Sequence, residues 1–440
     1  MSSIVTPFYL NPPTKAGWLI LKLKHLCLCG PVYGENIPAD EYAAEGLRFI
    51  RTTDIDDAGH LSAEGVYIHS VAPEVRLKDG DLLLSRSGTI GRSFLYRSAI
   101  HGPCAHAGYL VRFRPKGVHT GRFLFWVTKS RPFLAQLASD AIESTIVNFN
   151  GQRYANLALL CPSGEEQRAI ADFLDRETAK IDALIAAQER LIALLDEKRQ
   201  ATITHAVTKG LDPNAPMKES GVEWLGKVPA QWNIRPLRYV ARFTAGAGFP
   251  DAEQGLASEE LPFFKVKDLS SGVTTGKLYE TDNTISRNTA CRLHAKIFPE
   301  GTIVFAKIGA ALLLNRFRIV GCNCCIDNNM MGMQCIPRVI TPWFARMVMS
   351  LLDMRLLVNP GAVPSLSEGN LSSLKVAIPP LDEQRTIEEQ LDYVLAKISH
   401  LRNRSETVIE RLRERRTALI TAAVTGQIDV TRQAITETAK

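Results

Sequence analysis

Glu166-Gln167-Arg168-Ala169-Ile170 opens a stretch that returns later in the chain as Glu383-Gln384-Arg385-Thr386-Ile387. Laying Glu166 on Glu383 carries the alignment to Asp212 on Asp429 without a gap, with roughly half of the positions identical. The chain is therefore built on a duplication. Within each copy the apolar residues step by threes and fours: Ile170, Leu174, Ile181, Leu184, Leu191 and Leu195 in the first, and Ile387, Leu391, Val394, Ile398, Leu401, Val408, Leu412 and Leu419 in the second. That spacing is a coiled-coil seam and predicts two long helices.

Local signals bound both helices. Ser163-Gly164-Glu165-Glu166 reads as a capping box for the first and Pro379-Pro380 as a proline start for the second, with Gly210 and Gly426 as stops. Gln188 and Ser405 occupy the same seam position in their respective helices, where a polar residue commonly sets register. Two related seams separated by a whole domain predict antiparallel pairing within one chain. About forty residues at 1.5 Å each give a rod of roughly 60 Å.

The bulk properties are those of an ordinary globular chain: 440 residues, 45% hydrophobic, 22% charged, formal net charge +6. A mild positive excess suits a polyanionic partner without requiring one. No apolar run is long enough for a membrane span, and residues 1–15 lack a basic start followed by an apolar core, so a cytoplasmic protein is expected. Nine cysteines without a regular framework fit reduced thiols.

Residues 1–160 and 213–378 read as two mixed α/β regions, each followed by a long helix, at 161–212 and 379–430, with a polar tail at 431–440. The two regions echo each other faintly. Leu47 to Ile55 resembles Leu261 to Leu269, and Gly80 to Gly88 resembles Gly301 to Gly309. Framework positions persist while the intervening loops differ, which points to one fold carrying two surfaces.

Several short motifs suggest chemistry and fail on spacing. Asn11-Pro12-Pro13-Thr14 lacks the aromatic residue of an amino-methyltransferase loop, and Arg242 to Gly248 only approximates that family's cofactor turn. Gly272 to Leu278 has three residues between its glycines where a phosphate-binding loop needs four, and Leu where the loop needs Ser or Thr. Pro250-Asp251 and Asp196-Glu197-Lys198 are scraps of a metal-nuclease signature, far apart in the chain. Cys322, Cys324, Cys325 and Cys335 are too closely or too irregularly spaced for a zinc hairpin. No catalytic constellation, metal site or cofactor site is expected.

Ser85-Arg86-Ser87-Gly88-Thr89-Ile90-Gly91-Arg92 is the most informative loop. Glycines, hydroxyl donors and two guanidinium groups after a buried strand are what contact with phosphate and bidentate reading of guanine require, although an ordinary basic surface loop has the same composition. Its counterpart Lys307-Ile308-Gly309 keeps the cation and a glycine but not the hydroxyls. Candidates for DNA contact are Arg51, Arg86, Ser87, Thr89, Arg92, Lys265, Lys267 and Lys307, which flank glycine turns or recur as cations in both copies.

The order of variable region, Glu-Gln-Arg helix, second variable region introduced by Glu219-Ser220-Gly221-Val222-Glu223-Trp224 through Trp232, and second Glu-Gln-Arg helix resembles the specificity subunit of type I restriction–modification systems. The Ser87 to Gly91 loop also fits that family's pattern, whereas Ile308 to Leu312 departs from it. The resemblance covers essentially the whole chain. It implies two mixed α/β target recognition domains joined by an antiparallel coiled coil, with no catalytic activity of their own. Each domain would read half of a split target in double-stranded DNA, and the helices would space the halves and dock two methyltransferase subunits. S-adenosylmethionine, ATP and magnesium would belong to the methyltransferase and restriction subunits, not to this chain. A specificity subunit of a related type II system and a coiled-coil adaptor without DNA binding are the alternatives.

Overall fold

The computed structural model describes residues 15–142, 149–272, 276–359 and 363–430. The chain divides into two compact units, one running up to Arg190 and resuming from Ser405, the other spanning Leu191–Arg404. The long helices Gly164–Lys209 and Leu381–Val424 each begin in one unit and end in the other.

In the first unit, Val32–Tyr33, Leu110–Phe113, Leu82–Ser85 and Ser93–Leu95 lie side by side in that order, all antiparallel. A second sheet orders Val66–Ile68, Leu47–Ile50 and Cys104–His106, the last pair parallel. Leu19–Lys22 pairs with Ala158–Cys161 just before the long helix. The central strand Leu82–Ser85 is buried along its whole length, because one face packs on the helix Val118–Thr128 and the other on the neighbouring sheet. Continuous apolar runs of this kind mark strands covered on both faces.

The second unit repeats this plan. Ala241–Ala245, Met330–Cys335, Ile303–Ala306 and Arg318–Val320 take the places of the four antiparallel strands, with Lys277–Leu278 added in parallel at the edge. Leu261–Phe264 pairs parallel with Cys325–Ile326, as Leu47–Ile50 does with Cys104–His106. Asn233–Pro236 and Lys375–Ile378 repeat the strand pair that precedes the helix. The two echoes seen in the sequence are thus the two central strands of the same fold.

Each long helix is anchored to its own unit by equivalent contacts. Trp126 Nε1 donates to Asp175 Oδ1 at 2.8 Å in the first unit, and Trp343 Nε1 to Asp392 Oδ1 at 3.0 Å in the second. Trp18 Nε1 donates to Glu166 Oε1 at 3.3 Å and Trp232 Nε1 to Glu383 Oε1 at 2.9 Å. The duplicated Glu and Gln of the opening motif therefore have a structural job: Gln167 and Gln384 each donate to a proline carbonyl, Pro162 O and Pro379 O, that precedes the helix. The capping box is formed, with Glu166 N bonded to Ser163 Oγ at 3.3 Å and Ser163 N to Glu166 Oε2 at 3.2 Å. Gly210 and Gly426 end their helices at φ +75° and +73°, a conformation that favours glycine.

The helices pair antiparallel in both units. Asp182 meets Arg416 at 2.9 Å and Glu189 meets Arg413 at 3.3 Å in the first, and Asp196 meets Arg402 at 3.5 Å in the second. Ile170, Leu174, Ile181, Leu195, Ile387, Leu391 and Ile398 are buried as the seam requires, and Leu412 and Leu419 half-buried. Three seam assignments are corrected. Leu184, Leu191 and Leu401 are 53%, 40% and 47% exposed. The inward positions near the first two are held by Ile185 and Ile192, while Leu395 and Ile409 are more deeply buried than Val394 and Val408. Each of these pairs places two apolar residues side by side, about 100° apart around the helix. Periodicity admits either, and packing selects one. Thr178, only 2% exposed, completes the inward row by donating its hydroxyl proton to Leu174 O. Gln188 and Ser405 hold equivalent positions in their own helices but do not face each other: the pairs at Asp182 and Glu189 set Gln188 level with about residues 410–414.

Candidate nucleic-acid interface

The duplicated frame brings four of the five predicted residues of the first unit together, all but Arg86. Ala107 N donates to Ile50 O and Arg86 N to Tyr109 O, so the short turn Ala107-Gly108-Tyr109 lies between the segment that begins at Arg51 and the loop that begins at Arg86. Arg51, Ser87, Thr89 and Arg92 all line one cleft of about 790 Å³, with Asn36 and Tyr109 among the other walls. These residues come from separate stretches of chain.

The loop itself is braced from below. Tyr154, fully buried, donates its hydroxyl to Ser85 O at 2.7 Å and accepts from Gly91 N at 3.0 Å. Ser85 Oγ donates to Thr89 O and accepts from Arg92 N. Gly88, at φ +70°, turns the chain outward so that Thr89 is exposed while Ser85 is buried. A rigid base under an exposed hydroxyl and guanidinium suits a surface that must be held in one geometry.

Two of the cleft's cations are engaged by carboxylates. Arg51 Nε and Nη2 bond Asp54 at 3.1 and 2.7 Å, and this carboxylate raises the guanidinium's pKa. Arg92 Nε and Nη2 both reach Asp57 Oδ1, at 3.1 and 2.6 Å. Asp57 is in turn held by Lys129, whose ammonium donates to Asp57 O at 2.9 Å and to Ser93 O at 3.3 Å. Burial pushes the Lys129 ammonium down to about 7. Arg86 does not line the cleft. Its guanidinium stands 5.1 Å over the Tyr33 ring, with a buried Nε that has no partner among the described residues.

In the second unit the equivalent frame carries different side chains. Asp327 N donates to Phe264 O and Lys307 N to Asn329 O, so Lys265 and Lys307 flank the turn 327–329 as Arg51 and Arg86 flank 107–109. Lys265 Nζ bonds Gln254 Oε1 at 2.8 Å and Lys267 Nζ bonds Asp282 Oδ2 at 3.1 Å. Gly309 repeats the positive φ of Gly88, at +81°. Immediately after it, a short helical turn, Ala310–Leu314, replaces the hydroxyl-bearing loop of the first unit.

Sequence reasoning missed Asn36, Thr52 and Tyr109, which are brought to the cleft by strand pairing, and Tyr154, whose role is visible only from its two hydrogen bonds. An exposed tyrosine directly after Gly108, 60% accessible, was the available signal. Gly246, within the stretch that resembles a methyltransferase cofactor turn, has a packing reason: a Cβ there would collide with Asp327 O, as one at Gly34 would with His106 O. Asn11 to Thr14, residues 273–275 of the glycine stretch and the tail 431–440 lie outside the described residues. Among the described residues no group of three His, Cys, Asp or Glu side chains is placed to hold a metal ion, and no helix is long and apolar enough to cross a membrane. Cys324 and Cys325 are buried, and burial pushes the Cys325 thiol up to about 11.

A fold used twice on one pair of long helices, with unlike loops at the same place in each copy, defines a two-module protein. Residues 229–411 match the family model of the type I restriction modification DNA specificity domain. The chain is 21% identical over 388 residues to the putative type I restriction enzyme MjaX specificity subunit of Methanocaldococcus jannaschii, spanning 86% of this chain and 84% of that one. It is 19% identical over 433 residues to the type I restriction enzyme EcoKI specificity subunit of Escherichia coli K12, spanning 94% and 89%. Among solved structures, a chain from work on complex assembly and conformational transition of the type I R-M system superposes with a TM-score of 0.73 at 16% identity, over 95% of this chain and 100% of the other. The HsdS subunit of Thermoanaerobacter tengcongensis superposes with a TM-score of 0.54, also at 16% identity, over 95% of this chain and 99% of that one. The chain is thus similar over most of its length to type I restriction enzyme specificity subunits, with the family's specificity-domain model matched in its second half.

Proposed function

We propose that this chain is the DNA-reading, non-catalytic subunit of a type I restriction–modification complex, in which each unit reads one half of a split target in double-stranded DNA. The observation that carries this reading is the repeated frame with unlike loops: Arg86 and Lys307 occupy one backbone position in two copies, and the side chains around them differ. Two copies of one scaffold bearing different surfaces suit two different sequences better than one shared ligand. The helix pair is the spacer between the half-sites and the platform for two methyltransferase subunits, with restriction subunits joining that assembly. S-adenosylmethionine, ATP and magnesium are used by those partners in the cytoplasm, and the purified chain alone neither methylates, hydrolyses ATP nor cleaves DNA.

The test is to exchange residues 213–378 for the corresponding region of a related protein and to map methylated adenines at base resolution with the same partner subunits. One half-site should change while the other half and the gap are kept. A change in both halves, or in neither, refutes independent reading by the two units.

A further inference from the structure

Backbone hydrogen bonds fix which residues correspond around the central turn of each unit. In the first, Glu35 N donates to His106 O at 3.3 Å and Leu110 N to Ala107 O at 2.9 Å. In the second, Ala247 N donates to Ile326 O at 3.0 Å and Met330 N to Asp327 O at 2.9 Å. Asn36 therefore corresponds to Gly248, and Gly108 to Asn328. Each unit carries one asparagine and one glycine at this pair of positions, and the two copies make opposite choices of which is which.

The first unit shows why one member of the pair is a glycine. A Cβ built on Gly108 would lie 2.2 Å from Asn36 Oδ1, and the three heavy atoms nearest to it all belong to the Asn36 side chain. The amide thus occupies the space that a side chain at 108 would need. In the second unit the amide comes from the turn instead, and a Cβ on Gly248 would meet nothing within 4 Å. Asn36 and Asn328 are both exposed, and neither amide has a hydrogen-bond partner among the described residues. Asn36 lines the same cleft as Arg51, Thr89 and Tyr109. Asn328 is the middle residue of the turn that Lys265 and Lys307 flank. A free asparagine amide offers an acceptor oxygen and a donor NH2 side by side. On the major-groove edge of a base pair, adenine alone sets an N7 acceptor beside an N6 amino donor, which such an amide meets with two hydrogen bonds.

We propose that Asn36 in the first unit and Asn328 in the second are base-reading residues, each placing its amide on N6 and N7 of one adenine in its own half-site. This rests on the DNA-reading function proposed above and adds the residue, and the base it reads, in each half. The two units deliver the same chemical group from opposite walls of one frame, which is a way for a duplicated scaffold to read an adenine at a different place in each half.

The experiment uses the chain assembled with its methyltransferase subunits and duplexes carrying the mapped target. 7-Deazaadenine replaces the adenines of the target one at a time, which removes the N7 acceptor and keeps the base pair. At one position in each half, affinity should fall at least about fivefold, because an amide donor is left unpaired. Asn328→Ala should remove this effect in the half assigned to residues 213–378 by the exchange experiment and leave it in the other half, and Asn36→Ala should do the converse. Asn36→Asp keeps the side-chain volume against Gly108 and removes the NH2 donor, so it should abolish the effect as Asn36→Ala does. Asn329→Ala, at the place of Tyr109, should leave the effect intact. Sequence-selective binding without a 7-deazaadenine effect, or an effect that persists in its own half after the asparagine is replaced, overturns the assignment and leaves the DNA-reading function standing. Absence of selective DNA binding by the assembled complex overturns that function, and the assignment with it.

Discussion

Replacing Asp57 by Asn tests whether the first unit's cleft holds a cation in reserve for phosphate. Arg92 places Nε and Nη2 on a single carboxylate oxygen of Asp57, and that carboxylate is 85% exposed while the arginine side chain is 20% exposed. A pair this open to solvent contributes up to about 1 kcal/mol. A DNA phosphate can therefore take the guanidinium from Asp57, at a cost no greater than that. In Asp57→Asn the guanidinium meets phosphate without first leaving a carboxylate, so affinity for every sequence should rise by up to about fivefold at low salt. The phosphate contact is the same in both forms, so the slope of log affinity against log salt should stay unchanged. Arg92→Ala removes that contact, so it should weaken binding to every sequence and lower the slope by about 0.9, which over a rise from about 50 to about 200 mM is a loss smaller by about 3.5-fold. Fluorescence anisotropy of the complex with its methyltransferase subunits, on target and scrambled duplexes across a salt series, reads both quantities. If Asp57→Asn and Arg92→Ala weaken binding equally, and the double variant is no weaker than either, the pair serves only to hold the loop and the reasoning is wrong.

Three further outcomes are expected. In a cysteine-depleted chain, Gln188→Cys with Leu412→Cys should be joined within the monomer by a short bifunctional maleimide, because the ion pairs of Asp182 and Glu189 bring these levels together, and purely intermolecular products would contradict the antiparallel pairing. His106 is fully buried and burial depresses its pKa from 6.5 to about 4, so between these values the unfolded chain binds more protons than the folded one. The stabilising effect of keeping it neutral is complete above about pH 6.5 and is lost toward pH 4, an amount on the order of 3 kcal/mol. Urea midpoints of His106→Asn should accordingly vary less with pH over this window than those of the parent, and identical pH profiles would count against it. Inserting one heptad after Arg190 and one after Arg404, where each helix passes between units, adds about 10.5 Å and should lengthen the gap between half-sites by about three base pairs without altering either half. An unchanged gap in the map of methylated adenines would show that the helix pair is not the spacer.

Covalently local information determined much of this protein. The capping box at Ser163, the glycine stops at Gly210 and Gly426 and the strands at Leu47 and Leu82 depend on residues near one another in the chain, the duplication is legible by laying its two copies side by side, and all are present in the structure. The candidate loop was legible for the same reason, since glycines, hydroxyls and arginines occupy eight consecutive positions. The remainder depends on which distant atoms meet. Leu184 and Ile185 are equally apolar, and contact with the opposing helix alone determines which turns inward. Arg92 carries the same charge in any conformation, but Asp57, supplied by another loop, decides that its guanidinium is engaged, whereas Lys307, the counterpart of Arg86, meets no such carboxylate among the described residues. Strand pairing brought Tyr109 and Asn36 beside Thr89, because hydrogen-bonded ladders join residues far apart in the chain at separations that no local pattern records.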